Sequence, residues 1–410
     1  MAIDFEIPSE AKAIREKVRQ WVQDECIPAE KELDKKSLDE VLGPLRKKAR
    51  SRGLWCPFIP KEYGGMGLGQ LANALVQMEV SQSTLAELSM NTQGPDDASM
   101  LTILEYGTEY QKEKYLKPIL NGEKRVCFSM TERAAGADAT GIQTSAVKDG
   151  DENYILNGEK WFSSAASVAD VAFVMAKTDP NAPRHKQFST FLVELPNPGY
   201  RIKRVIKTMA IESPHEDKLY GGESEIEIKD LKVSAKDLLG GEGNGFAMGQ
   251  HRLAYGRLRH GMRNIAKAQR ALDMATARVT SRSTFGTMLA DRQAVQFMLA
   301  ECASELYLAR LMLLHIAYKA EKGMDLRQEN SMAKLFLAHM VHKVVDTAIQ
   351  LHGALGYSQD TPLAQWYTQI RQQRLVDGPD EVHKWMIGRN VIKAYKTHGT
   401  TASAAGGELL

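Results

Sequence analysis

The stretch DVAFVMAKT, residues 170–178, decides the class of fold that the sequence predicts. Its β-branched, aromatic and apolar residues form a short run typical of a buried strand. The same character returns in FSTFLVEL (188–195), YRIKRVI (200–206) and SEIEIKDLKVS (224–234). We therefore predict a β-domain between about residues 125 and 237. An Asn-Gly pair, Asn157 and Gly158, lies between two strand-like runs and predicts a hairpin turn there.

The sequence on both sides of this region has apolar residues at helical spacing. AKAIREKVRQWV (11–22) and LANALVQMEVSQ (71–82) precede it, and long segments such as RNIAKAQRALDMATARV (263–279) follow it. Four long amphipathic helices in the last part indicate a bundle. The predicted fold is therefore of the α+β multidomain class. It has an N-terminal α-helical domain (1–125), a central β-barrel-like domain (126–240), a C-terminal four-helix bundle (241–396) and a mobile polar tail (397–410).

Composition excludes several classes of function. The 410 residues carry a formal charge of +2 from 53 basic and 51 acidic residues mixed along the chain, so we expect no binding to nucleic acid or to anionic membranes. No apolar run approaches membrane-spanning length, and MAIDFEIPSE (1–10) has no apolar leader core. The four cysteines form no CxxC pair, which argues against zinc ribbons, iron–sulfur clusters and disulfide frameworks. A cytoplasmic protein is expected.

Two motifs have simpler explanations than ligand binding. GGEGNGF (240–246) does not fit GxGxxG and follows no βαβ unit, so we interpret it as a flexible hinge before the bundle. His339 and His342 are three residues apart on a predicted helix, but they lack an HExxH pattern and a third ligand nearby. We expect no metal site.

Three further segments have both a structural and a functional interpretation. CFSMTERAAGADATG (127–141) is either a connecting loop or a small-residue loop whose backbone approaches a ligand. EKWFSSAAS (159–167) offers aromatic rings and hydroxyls that either fill a core or contact a flavin. RSTFG (282–286) is either a helix end or a clamp in which arginine binds a pyrophosphate and phenylalanine stacks on adenine.

Near the C-terminus, RLVDGPDEVHKWMIGR (374–389) places Asp377 beside a Gly-Pro turn. Gly378 and Pro379 favour a turn, and Asp380 can cap the helix that the following apolar residues predict. Local physics alone therefore favours a turn role for Asp377.

These motifs together, in this order, resemble the acyl-CoA dehydrogenase family over nearly the whole chain. The matching segments include IPKEYGGMGLG (59–69), FSMTERAAGADATG (128–141), NGEKWFSSAAS (157–167), GRLRHGMRNIAKAQRALD (256–273), SRSTFG (281–286), QLHGALGYSQD (350–360) and RLVDGPDEVH (374–383). NTQGPD (91–96), RHKQFS (184–189) and SQDTPLAQWY (358–367) are similar to the dehydrogenase domain of the kinase-linked members and their free-standing bacterial relatives.

The resemblance implies that FAD lies between the β-domain and the bundles of two subunits of a homodimer or homotetramer. Phe162 would pack on the flavin ring, Thr131 would lie near its pyrimidine edge and Ser164 near N5, while Arg282 and Phe285 would reach across the subunit boundary. The implied FAD contacts are Phe128, Met130, Thr131, Gly136, Ala137, Phe162, Ser163, Ser164, Arg282, Phe285, Gln293, Gln350, Gly353, Ala354, Pro379, Asp380 and Glu381. The implied substrate contacts are Ala137, Tyr255, Gly256, Arg257 and Gly378.

The family's chemistry implies that a carboxylate removes the α-proton of an acyl-CoA while the β-hydride passes to flavin N5. The product is a trans-2-enoyl-CoA of fatty-acid β-oxidation, and the electrons pass to an electron-transfer flavoprotein. The usual glutamate position falls on Asp377, whose backbone N–H would bind the thioester oxygen. Some members place the base on the first bundle helix, where this chain has Gly256. A further departure is Ala137, where many relatives have a serine.

Two alternatives remain open beside this expectation. A flavin oxidase of the nitroalkane-oxidase kind has the same fold and also uses an aspartate as its base. An inert flavoprotein scaffold would leave Asp377 with a turn role alone.

Overall fold

The computed structural model describes residues 6–210 and 221–406. The chain begins with helices packed around buried apolar faces, as their spacing in the sequence predicts. These helices are α1 (Ser9–Trp21), α2 (Leu38–Ser51), α3 (Gln70–Val80), α4 (Thr84–Ser89) and α5 (Asp96–Tyr106). Short helical segments at Ile27–Ala29, Glu109–Gln111 and Lys117–Leu120 connect them to their neighbours. Ser37 and Glu40 form a capping box that begins α2.

A mixed β-sheet follows. Its strands are β1 (Val126–Ser129), β2 (Ser145–Asp149), β3 (Asn153–Ser164), β4 (Val171–Lys177), β5 (Phe188–Glu194), β6 (Tyr200–Ile206), β7 (Glu223–Ser234) and β8 (Leu238–Leu239). The strand order is β6-β7-β3-β2-β4-β5-β8, and β1 pairs in parallel with β4. Strand β4, which contains most of the quoted stretch, is buried except at its last residue and runs through the middle of the sheet.

The predicted Asn157–Gly158 hairpin is wrong. Both residues lie inside β3, where the pairing with β7 shifts its register between Leu156 and Gly158. Gly158 has φ +153°, and a Cβ there would lie 2.5 Å from the Thr144 hydroxyl oxygen. Glycine is therefore required at position 158 for a β-bulge and for close packing of the strands. A glycine in a bulge and a glycine in a turn look the same in the sequence. The actual hairpin joins β2 to β3 through Gly150, which has φ +69°.

The helical period returns in the last part of the chain. The helices are α6 (Gly245–Ser281), α7 (Gln293–Glu321), α8 (Arg327–His352), α9 (Leu363–Ile370) and α10 (Asp380–His398). A hairpin of β9 (Ser283–Thr284) and β10 (Thr287–Met288) separates α6 from α7. The apolar faces of α6, α7, α8 and α9 share one core with the face of α3. The expected order of helical domain, β-domain and helical bundle is confirmed.

The end of the chain is partly helical. Thr397 and His398 belong to α10, and Ala402–Ala405 forms a 3₁₀ turn. The Ala404 carbonyl accepts a hydrogen bond from the Gln328 side chain at 2.9 Å, so this part of the predicted tail packs on the bundle. Residues 407–410 lie outside the described part. No helix between residues 6 and 210 or between 221 and 406 is long and apolar enough to cross a bilayer.

Candidate active site

The loop between α9 and α10 presents Asp377 in an unusual backbone conformation. Asp377 has φ +52° and Gly378 has φ +100°, so two consecutive residues lie in the left-handed region. A side chain at position 378 would also lie 2.8 Å from His383 Nε2, which requires glycine there. Arg257 Nε donates to the Asp377 carbonyl at 2.9 Å, and Lys334 Nζ donates to the Gly378 carbonyl at 2.7 Å. Helices α6 and α8 therefore hold this conformation in place.

The Asp377 carboxylate lies against α6. Its side chain is 19% exposed, and its Oδ2 is 3.3 Å from His260 Nε2. Gly256, one helical turn before His260, faces the same oxygen, since a Cβ at position 256 would be only 2.8 Å from Oδ2. The missing side chain at Gly256 thus provides the space that the carboxylate occupies.

The electrostatics of the site favour an ionised Asp377. Burial opposes ionisation, but the hydrogen-bonding and charge contribution of His260 and the charges of Arg252 and Arg257 outweigh it. The pKa of Asp377 therefore lies below its usual value. A partly buried, ionised carboxylate with one oxygen held against a helix can accept a proton from a carbon acid placed before its other oxygen.

The α6 helix also connects the carboxylate to the β-domain. The Arg252 guanidinium lies 4.1 Å over the ring of Phe128, which is on β1, and donates to the Pro95 carbonyl at 3.3 Å. Its Nε is buried without a partner among the described residues. The Tyr255 ring lies 5.3 Å from that of Phe58. The predicted substrate residues Gly256 and Arg257 thus lie against Asp377, while Tyr255, the preceding residue of α6, packs on Phe58.

A second group of predicted residues lies where β3 meets the loop after β1. The backbone N–H of Trp161 donates to the Thr131 carbonyl at 2.8 Å, which joins the two segments. Phe162 has φ +54°, and 41% of its surface is exposed beside Trp161, with ring centroids 4.6 Å apart. Ser164 Oγ donates to Glu223 at 2.7 Å, and burial raises the pKa of that glutamate to about 7. The Ser163 hydroxyl lies 2.9 Å from that of Ser129, and only 1% of the residue is exposed.

A buried ion pair supports this loop. Lys160 Nζ lies 2.9 Å from Glu132 Oε1 and donates to the Met130 carbonyl at 3.1 Å. Glu132 also accepts the backbone N–H groups of Gln143 and Thr144. Burial lowers the pKa of Lys160 to about 8, although Glu132 opposes this shift. Gly136 and Ala137 stand exposed in the same loop. The pair holds the backbone of Met130 and Thr131 to strand β3.

The remaining predicted residues belong to the bundle. Phe285, at the tip of the β9–β10 hairpin, is 99% exposed with φ +52°. The other side chains of this group, all exposed on the surface of the chain, are Arg282, Gln293, Gln350, Ala354 and Glu381. Gly353 and the half-buried Pro379 complete the group.

Asp380 does not cap α10. The helix begins at Asp380 itself, and no side chain caps its N-terminus. The Asp380 carboxylate instead accepts hydrogen bonds from Arg374 at 2.7 Å and from His339 at 2.9 Å. Ionic contacts with Arg374 and His339 therefore replace the helix cap that the sequence predicted.

Four residues of the site were not predicted from the sequence, namely Arg252, His260, Lys334 and His383. His260 alone carried a signal, because it follows Gly256 by one helical turn in GRLRHGMR (256–263). Lys334 lies in a predicted helix, and its contact with the Gly378 carbonyl joins residues 44 positions apart, which leaves no local pattern. His383 is only six residues from Asp377, but its position in the predicted helix gave no sign that it contacts the Asp377 carbonyl.

Comparison with known proteins gives the family. Three family models match in chain order: the N-terminal domain of acyl-CoA dehydrogenases at residues 8–123, the middle domain at 127–220 and the C-terminal domain at 243–392. Acyl-CoA dehydrogenase family member 11 of Gallus gallus is 37% identical over 91% of this chain, but the match covers only 49% of that protein. The chain thus spans about half the length of this relative.

Two further proteins match over most of their own length. FadE2, a probable acyl-CoA dehydrogenase of Mycobacterium tuberculosis, is 37% identical over 87% of both chains. The crystal structure of an acyl-CoA dehydrogenase from Geobacillus kaustophilus superposes with a TM-score of 0.81 at 30% identity, over 94% of this chain and 99% of that one. With three matching domains, this fold and these relatives, the chain belongs to the acyl-CoA dehydrogenase family of oxidoreductases.

Proposed function

We propose that this protein is an FAD-dependent dehydrogenase that converts an acyl-CoA thioester to a trans-2-enoyl-CoA, with Asp377 as the catalytic base. The observation that carries the proposal is the position of the Asp377 carboxylate, which is held against α6 between Gly256 and His260. The family's usual chemistry needs a carboxylate near the α-carbon of the acyl group. Asp377 is the residue that matches this position, and Gly256 cannot serve as a base from α6.

The chain's own residues account for the proton step. Asp377 accepts the α-proton on the oxygen that does not face His260, and its backbone N–H binds the thioester oxygen, which stabilises the charge that develops there. Because aspartate is one methylene shorter than glutamate, the reach to the α-carbon depends on the loop conformation that Arg257 and Lys334 hold. Ala137, Tyr255, Arg257 and Gly378 line the substrate.

The β-domain fits a flavin. The exposed ring of Phe162, held at a positive φ beside Trp161, offers an aromatic wall that no described residue covers fully. Phe128 on β1, and Met130 and Thr131 in the loop after β1, would line the flavin together with Ser163 and with the hydroxyl of Ser164. Gly136 and Ala137 would let the cofactor pass close to the backbone. These residues would hold the flavin ring, and FAD bound there would supply the acceptor for the β-hydride of the acyl group.

The rest of FAD would be held by a second copy of the chain. Phe285 and Arg282 project from the bundle surface, and Arg282 has no side-chain partner among the described residues, so they can bind an adenine and a pyrophosphate on a neighbouring subunit. Gln293, Gln350, Gly353 and Ala354 would assist them, and Pro379, Asp380 and Glu381 would complete the contacts. Helix α7 supports such assembly, because Phe297, Leu308, Leu311 and Tyr318 are exposed along it. A homodimer or homotetramer is therefore part of the proposal.

We assign the electrons to an electron-transfer flavoprotein and the protein to the cytoplasm. All four cysteines are buried as free thiols, which fits a reducing compartment. Assay of the reduced enzyme with purified electron-transfer flavoprotein, beside dissolved oxygen, tests the acceptor directly.

Anaerobic mixing of the purified flavoprotein with a panel of acyl-CoAs tests the reaction. Flavin bleaching by at least one thioester is expected. Asp377→Asn should keep FAD and substrate bound but slow bleaching by about three orders of magnitude or more, because an amide cannot accept the α-proton. Bleaching at the wild-type rate in Asp377→Asn would show that this residue has only a turn role.

The presence of aspartate instead of glutamate favours one second candidate, a flavin oxidase of the nitroalkane-oxidase kind. Such an enzyme would consume oxygen with nitroalkanes and would not respond to CoA thioesters. The same panel, extended by nitroethane and an oxygen electrode, separates the two chemistries.

A further inference from the structure

His260 lies beside the proposed base and has no other assigned task. Its Nε2 is 3.3 Å from Asp377 Oδ2, and its Nδ1 is buried without a partner among the described residues. A histidine with one nitrogen buried and unpaired costs stability, so its presence calls for an explanation at the other nitrogen. We propose that His260 is a positioning residue, which holds Oδ2 of Asp377 against α6 so that the other carboxylate oxygen faces the substrate.

The geometry of α6 supports this role. Gly256 and His260 are four residues apart and therefore lie on one face of the helix. The gap at Gly256 admits the carboxylate, and the imidazole in the next turn meets the same oxygen that a Cβ at position 256 would strike. The helix thus supplies both the space for Oδ2 and the contact that keeps it there.

The other charged groups around Asp377 have hydrogen-bond partners other than its carboxylate. On α6, Arg257 donates to the Asp377 carbonyl and Arg252 to the Pro95 carbonyl. On α8, Lys334 donates to the Gly378 carbonyl. On α10, His383 lies 3.0 Å from the Ser331 hydroxyl and 3.3 Å from the Asp377 carbonyl, while Asp380 pairs with Arg374. Arg257, Lys334 and His383 contact the carbonyls of the loop, whereas His260 contacts the Asp377 carboxylate itself.

The positioning role of His260 rests on the proposed role of Asp377 as base, and it predicts how flavin reduction depends on pH. Burial raises the pKa of Asp377, and His260 is the largest of the influences that lower it. Without the imidazole, only the more distant charges of Arg252 and Arg257 oppose burial, so the pKa should rise. The base would then lose its charge at a higher pH, and the acid limb of the flavin-reduction rate should move upward.

The test compares His260→Phe with His260→Gln in the full FAD-loaded enzyme. Phenylalanine keeps a ring but removes the donor, whereas the glutamine amide can still reach Oδ2. Rapid anaerobic mixing with the best acyl-CoA of the panel gives the reduction rate across pH. His260→Phe should be about 10- to 100-fold slower at neutral pH, with its acid limb displaced to higher pH. His260→Gln should recover most of the rate and move the limb less.

Three results would overturn the role of His260. One is a wild-type rate and pH profile in His260→Phe, and another is an equal, pH-independent loss in both variants. If His260→Phe does not retain FAD, His260→Asn replaces it in the test, because the shorter amide of asparagine does not reach the carboxylate. The third result is a wild-type rate and pH profile in His260→Asn. Asp377→Asn, measured in parallel, separates the two proposals. Wild-type reduction in that variant refutes the base itself, whereas an inactive Asp377→Asn beside an unaffected His260→Phe refutes only the positioning role.

Discussion

Asp377 is constrained twice, once through its backbone and once through its carboxylate. Arg257 and Lys334 hold the carbonyls of the loop, while Gly256 and His260 border the side chain. Placement of a base within a fraction of a bond length strongly affects proton transfer, so Lys334 and His260, which are not among the proposed substrate contacts, can still affect the rate.

Gly256→Ala tests this sensitivity. The added methyl group would lie 2.8 Å from Asp377 Oδ2, well inside van der Waals contact, and should displace the carboxylate. Flavin reduction should slow by about 10- to 100-fold, because a misplacement near 1 Å has costs of that order. FAD content should not change. Stopped-flow reduction with acyl-CoA measures the effect.

Gly388→Ala is the matched control, because Gly388 lies in helix α10 and a Cβ there meets nothing within 4 Å. This change should leave the reduction rate unaltered and stabilise the helix by up to about 1 kcal/mol. Equal rates in Gly256→Ala and in the wild type would contradict the close contact of Gly256 with the carboxylate.

At the scale of elements, helix α6 is joined to α4 by a buried cluster of charges. Glu87 on α4 accepts hydrogen bonds from Arg263 Nε at 3.0 Å and Nη2 at 2.7 Å, and Arg259 lies 3.4 Å away. Burial opposes ionisation of Glu87, but the charges of Arg263 and Arg259 outweigh it and lower the pKa to about 2. The cluster fixes the helix that carries Gly256 and His260.

Stability should therefore depend on pH through Glu87. Its folded pKa of about 2 lies below the ordinary 4.5, so the unfolded chain binds more protons between these values. The contribution, at most about 3 kcal/mol, is fully present above pH 4.5 and is lost as the pH falls toward 2. Urea unfolding of the wild type and Glu87→Gln should show a large difference at pH 7 that shrinks below pH 4.5.

Glu109→Gln provides the control, because Glu109 is 90% exposed in its pair with Lys112. This surface change should alter stability by less than about 1 kcal/mol at every pH. A difference between the wild type and Glu87→Gln that stays constant from pH 7 to pH 3 would contradict the lowered pKa.

The order of elements was predictable from the sequence, while most contacts were not. Strand β4 and the long bundle helices follow from apolar periodicity, since burial of one face determines both. The hairpin predicted at Asn157–Gly158 was wrong, because glycine is favoured in a β-bulge as well as in a turn. Asp377 was found by resemblance to a family. Its neighbours His260 and Lys334 were not predicted, because their contacts link α6 and α8 to a loop more than forty residues farther along the chain.

At the scale of the whole molecule, Phe285 is an aromatic residue on the bundle surface that does not contribute to the core of its own chain. Phe285 is almost fully exposed and its backbone is held at a positive φ. An exposed, conformationally constrained ring at a hairpin tip is suited to bind a flat ligand or another chain. The proposed assembly gives it both roles.

Phe285→Ala should weaken FAD retention by about tenfold, since stacking of an aromatic ring contributes roughly 1 kcal/mol beyond its buried area. It should also lower the molecular mass in dilute solution, because the cofactor would no longer bridge two subunits. The ratio of flavin absorbance to protein after gel filtration, with light scattering on the same peak, measures both effects.

Tyr110→Ala, which removes a 45% exposed ring from the N-terminal helical region, should change neither flavin content nor mass. Full flavin content and an unchanged mass in Phe285→Ala would exclude the proposed binding across subunits.

The shared space of Gly256 and Asp377 restricts how such an enzyme can change over evolution. A carboxylate on α6 and a carboxylate on the loop would collide, since even a single carbon at position 256 reaches Oδ2. Moving the base to α6 therefore needs two substitutions, the gain of an acid at position 256 and the loss of the acid at position 377. The first alone gives a chain with two crowded acids, and the second alone gives a chain with none. Both intermediates should be poor catalysts, so the location of the base should be inherited over long periods. It would then mark a lineage within the family more faithfully than the choice of acyl substrate.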